Sequence, residues 1–159
     1  MSMSMEVFAE MHRVRIRRDG CGDAIIPGKR FAPSLDADTK RLDKGLRPEY
    51  ASHIYDNGDG RFGICLMFDS PKKWGNAKRT AEAAGFIIKL DCTSKGVRPF
   101  YDPYGEGLAL FEPSDKRQSR LAIKLTGARA KREMAPEAKA ALIARLALAR
   151  TARASEKAS

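Results

Sequence analysis

The 159-residue sequence predicts an α+β domain built on an antiparallel sheet. Three observations carry this reading. Two strand-like runs flank Asn57-Gly58-Asp59-Gly60, an amphipathic helical pattern covers 71–84, and short apolar runs follow Gly85. Hydrophobic residues make up 43% of the chain, enough for a core. The length suits one domain, or one domain with an appendage.

From Val7 to Arg18 apolar and polar residues alternate, and His12-Arg13-Val14-Arg15-Ile16-Arg17 keeps a strict period of two. That period predicts a half-buried strand with Arg13, Arg15 and Arg17 on its solvent face. Asp19-Gly20 and Gly22-Asp23 provide the turn that closes it. Residues 27–48 are polar, contain Pro27, Pro33 and Pro48, and show little apolar periodicity. They read as a long loop with room for a short helix over 36–42.

Ser52 to Asp56 and Arg61 to Phe68 border the Asn-Gly-Asp-Gly stretch. Asn-Gly tolerates the positive φ of a tight turn, which predicts a β-hairpin. A calcium loop would need side-chain oxygens at alternate positions, where Gly58 and Gly60 have none. Asp69-Ser70-Pro71 then opens a helix with an oxygen-bearing cap and a proline in the first turn. Trp74, Ala77, Ala81 and Ala84 form its apolar face, Lys72, Lys73, Asn76 and Arg79 its remaining surface, and Gly85 its stop.

Strands follow over Phe86–Cys92, Val97–Tyr101 and Leu108–Glu112, with a turn at Asp102-Pro103-Tyr104-Gly105. Ser114-Asp115 caps a helix reaching about Leu125 ahead of Gly127, although Leu121, Ile123 and Leu125 also alternate as a strand would. Pro136 opens a second helix to about Ala152, with the last eight residues frayed. Its Ala138, Ala141, Leu142, Leu146 and Ala149 make a seam interrupted by Arg145 and Arg150, suited to docking on the sheet or on a second copy.

Charge divides the chain unevenly. The total is +10, yet residues 1–113 carry 18 basic and 16 acidic side chains, whereas 114–159 carry 12 and 4. The expected division is therefore an almost balanced α+β domain over 1–113 and a basic helical extension over 114–159. An excess this positive favours polyanionic partners. Phosphate contacts fall to Arg129, Lys131, Arg132, Arg145 and Arg150 in the extension, and to Lys72, Lys73, Lys78 and Arg79 on the 71–84 helix. The loop from Lys95 to Tyr104 adds Lys95 and Arg98 among Phe100, Tyr101 and Tyr104, a composition able to stack bases and hold a backbone.

A basic helix followed by a hairpin, as over 70–112, is similar to the winged helix-turn-helix pattern, except that a strand stands where that motif has a support helix. No reaction is signalled. Ser52-His53 lacks a nucleophile context, and Gly28-Lys29-Arg30 lacks phosphate-loop spacing. Cys21, Cys65 and Cys92 are odd in number, far apart and unmatched to His12 or His53, so they read as structural thiols of a reducing, cytoplasmic compartment rather than metal ligands. No apolar run spans a membrane, and MSMSMEVF lacks a signal-peptide pattern. The expectation is a non-catalytic bacterial or phage protein that binds DNA or RNA by its backbone, without cofactor or metal. Two alternatives are a module binding an acidic protein, such as a phage inhibitor or assembly factor, and a small magnesium-dependent nuclease using Asp56, Asp59, Asp69 or Asp91.

Overall fold

A computed structural model describes residues 2–31, 51–68, 71–91, 106–131 and 134–158. Six strands form one antiparallel sheet: β1 (Arg17–Arg18), β2 (Ala24–Phe31), β3 (Ala51–Asp56), β4 (Phe62–Met67), β5 (Ile87–Leu90) and β6 (Glu106–Phe111), in the order β1-β2-β3-β4-β6-β5. Four helices accompany them: α1 (Met5–Met11), α2 (Pro71–Ala83), α3 (Lys116–Thr126) and α4 (Pro136–Ala158).

The β3–β4 hairpin stands where the sequence places it, with Asp56 opposite Phe62. Its turn is longer than an Asn-Gly pair: positive φ falls on Gly58 and Gly60, and Asp56 Oδ1 accepts from the Gly58 amide at 2.8 Å. One register row, Ile26-Ile54-Ile64-Ala109-Ile88, crosses five strands and therefore points to a single face of the sheet. Phe8 of α1 joins this face beside Phe62 and Phe111, with Phe86 stacked on Phe111 at 5.3 Å. Trp74 of α2 covers Gly107, where a β-carbon would lie 2.2 Å from the indole. Its Nε1 donates to Asp91 Oδ1 at 2.8 Å, and Lys78 Nζ meets the other oxygen of Asp91 at 2.6 Å.

Several expectations are corrected. The expected N-terminal strand is mostly absent, and a helix precedes it: Ser4 caps α1 by accepting from the Val7 amide, Met5, Phe8 and Ala9 are buried at spacings of three and four, and of residues 12–16 Val14 alone makes a bridge. Alternation from Arg13 onward masked this, and only Arg17–Arg18 pair as a strand, against Ile25 and Ala24. Pro27 to Phe31 belong to β2 and not to the loop expected from Pro27; residues 32–50 lie outside the described ones. β5 and β6 are not a free wing: β6 pairs with both β4 and β5 inside the sheet. The Val97–Tyr101 strand and its turn lie outside the described residues.

The 114–125 segment is the helix α3, not a strand, with Asp115 as its cap and Gly127 at φ 67° as its stop. It belongs to the packed unit: Ser119, Ala122 and Thr126 are buried, and Gly28 lets its end approach β2. The charge boundary after Pro113 thus falls inside the core. α4 alone has no buried residue, and it stays helical to Ala158 because no breaker interrupts Ala152 to Ala158. No helix among the described residues is long and apolar enough to cross a membrane.

Candidate polyanion-binding surface

The burial of α3 decides where its charges go. Ser119, Ala122 and Thr126 face the sheet, so Lys116, Arg117, Arg120 and Lys124 share the opposite, exposed arc. Lys116, Arg120 and Lys124 follow one another every four residues, a rise of about 6 Å per step. α3 contains no acidic residue, and none of the four makes an ion pair with a described residue. Lys124 also sits in the last turn, where the helix dipole favours a cation.

Backbone pairing assembles a second strip of charge where the chain leaves α3. Val14 bridges Ala130, the Arg15 amide donates to the Arg129 carbonyl at 3.0 Å, and the Lys131 amide donates to the Arg13 carbonyl at 2.7 Å. Arg13, Arg15, Arg129 and Lys131, which are 114 to 118 positions apart in pairs, become neighbours. Lys29 of β2 reaches the same place: its side-chain carbons would lie 3.5 Å from a β-carbon on Gly127. His12, which precedes Arg13, is half-buried. Burial, and then the Arg120 charge, hold its pKa below the ordinary value of 6.5.

The residues expected to contact phosphates are distributed unequally. Arg129 and Lys131 belong to this ridge, although the Lys131 ammonium also pairs with Glu10 at 3.3 Å. Lys72, Lys73 and Arg79 are exposed on α2, where Lys72, Asn76 and Arg79 border a shallow depression of about 420 Å³. Asn76 Oδ1 accepts from Arg79. Lys78 is spent on Asp91, which raises the pKa of the amine through their hydrogen bond. Arg145 and Arg150 lie on α4, which has no buried residue. Lys95, Arg98 and Arg132 fall outside the described residues.

Sequence reasoning missed Lys116, Arg117, Arg120 and Lys124. Their spacing of one, four and eight was a readable signal of a shared helical arc. The joining of 13–15 to 129–131 had no local signal.

The acidic residues considered for a nuclease have separate structural tasks. Asp56 caps the hairpin turn, and Asp91 holds Trp74 and Lys78. Asp59 is gripped by Arg61 and Asn57, whose hydrogen bonds hold its carboxyl well below the usual carboxylate range. Asp69 lies outside the described residues. Among those described, no three His, Cys, Asp or Glu side chains are grouped to hold a metal ion. Cys65 is buried and Cys21 exposed. Comparison of the chain with known protein families, characterised proteins and solved structures yields no match.

Proposed function

We propose that this chain is a non-catalytic nucleic-acid-binding protein that grips the phosphate backbone through the α3 ridge. The observation that carries the reading is the arc of Lys116, Arg117, Arg120 and Lys124, none of which pairs with a carboxylate among the described residues, followed by Arg13, Arg15 and Arg129. A protein surface that gathers this many cations without acidic partners carries a self-repulsion that a polyanion relieves. Each phosphate neutralised releases counterions, which supplies affinity without base contacts.

The side chains on the arc suit that mode. Lysine and arginine reach phosphates, whereas Gln118, the amide of α3 able to read a base, is occupied: its Nε2 donates to the Ala84 carbonyl and its Oε1 accepts from the Glu112 amide. The exposed cations of α2, Lys72 and Arg79, offer a second contact on the helix-bearing side of the sheet. Sequence-independent binding follows, because phosphate contacts position a protein and base contacts specify.

The test is a salt titration of the full chain against duplex DNA, single-stranded DNA and RNA of mixed sequence. Binding in the micromolar range at low salt, with log affinity falling linearly against log salt, is the expected result. Affinity weaker than about 10 μM for all three at low salt defeats the reading.

A further inference from the structure

α1 exposes Val7 and Met11, but α4 exposes four large apolar residues, Leu148 most of all at 72%. Leu142, Ile143 and Leu146 are 41%, 58% and 50% exposed. Leu142, Leu146 and Ala149 are spaced by four and three and mark one side of the helix. Lys139 stands three before Leu142, Arg145 three after it, and Arg150 four after Leu146, so cations flank this apolar stripe. On α3 the cations hold an arc of their own; on α4 they alternate with leucine. A phosphate backbone makes use of the charge but not of the leucines. The complement of such a face is an acidic cleft with an apolar patch in its wall.

This chain has one. A cleft of about 550 Å³ opens at the start of α1, with Glu6, Asp19, Asp23 and Asp56 among its lining and the half-buried Ala24 and Tyr55 as its apolar wall. Its edge already holds a guanidinium: Arg18 Nη2 lies 3.6 Å from Glu6 Oε1, and its Nη1 donates to the Gly22 carbonyl. No residue of α4 lines this cleft, and none is buried. Pairing α4 with α4 would set Arg145, Arg150 and Arg153 of two copies in one seam, which like charges oppose.

We infer that α4 of one copy occupies the acidic cleft of a second copy. Arg145, Arg150 and Lys139 face its carboxylates, and Leu142 and Leu146 cover its apolar wall. Reciprocal docking closes the pair and doubles the contact. A helix of 23 residues, about 34 Å long, needs that doubling to approach the roughly 800 Å² per partner of a stable interface.

Light scattering of the full chain, free of nucleic acid, tests this. The mass should rise from one chain toward two with concentration, and the association should weaken with added salt. R145E/R150E should lower the association constant roughly tenfold, as should E6K/D23K, whose side chains are exposed; Asp23 meets Asp19 across its turn through the backbone amide and carbonyl, which the change leaves in place. Combining the two reversals should restore association to within about threefold of the parent. Because α4 has no buried residue, the R145E/R150E result stands whatever the cleft variant does to folding. A single-chain mass at every concentration overturns the inference. So does association that survives either reversal, or a combined variant that stays as weak as its parents.

Discussion

Replacing Gly28 by alanine probes the link on which the ridge depends, the seating of α3 on the sheet. A β-carbon at Gly28 would lie 1.9 Å from the Thr126 carbonyl oxygen and 2.6 Å from that of Ser52. Both are backbone atoms, and Thr126 ends a helix whose hydroxyl is tied to the Ala122 carbonyl at 2.8 Å, so neither swings aside. Inserting a methyl group into closed space costs about 1–3 kcal/mol, and backbone on two sides puts this site at the top of that range. Removing a glycine from the unfolded chain returns about 0.4–1 kcal/mol. The net loss is about 2 kcal/mol, which for a chain of this size lowers Tm by roughly 4–8 °C. Gly75 is the control: nothing lies within 4 Å of its would-be β-carbon, and in the middle of α2 alanine should stabilise by about 0.5–1 kcal/mol. Thermal unfolding followed by circular dichroism reads both. A Gly28→Ala protein as stable as its parent would refute the close approach of α3 to β2.

Two further outcomes follow from the same packing. His12 has its folded pKa lowered, so the neutral ring is favoured in the native state and its contribution to stability is complete above pH 6.5. That contribution is lost as pH falls through the lowered folded value; urea unfolding at pH 7.5 and pH 5 should show a smaller loss in His12→Gln, and equal losses in both proteins would argue against it. Ending the chain after Lys131 removes no buried residue of the sheet or of α1 to α3, so Tm should move little and most polyanion affinity should remain, while self-association disappears. A truncated chain that fails to fold, read by the same thermal scan, would show α4 to be a core element.

How much of this was legible in the sequence depends on whether the signal was local. The β3–β4 hairpin, α2 and the caps of α3 were readable because turn glycines, an N-cap and a stop glycine act within a few residues. α1 was misread because Arg13 to Arg17 alternate so strictly that they outweighed Ser4 and the three-four spacing of Met5, Phe8 and Ala9. β2 was hidden by Pro27 and Gly28, residues that disfavour strands; Gly28 is needed there by a neighbour 98 positions away. The membership of α3 in the core was obscured by its buried face, which uses Ser119 and Thr126 as well as Ala122. Their hydroxyls donate to the Pro113 and Ala122 carbonyls, so polarity on that face did not mean exposure. The ridge itself needed the pairing of residues 13–15 with 129–131, a contact between the two ends of the packed unit that composition does not encode.

The central claim, that the α3 ridge holds a nucleic-acid backbone, is tested most directly by the salt dependence of a variant in which Lys116, Arg117, Arg120 and Lys124 are all glutamine. These side chains are exposed, so the fold should survive the changes. If each contacts one phosphate, the slope of log affinity against log salt for duplex DNA should become shallower by about 3–4. An unchanged slope and affinity in a folded variant would contradict the account.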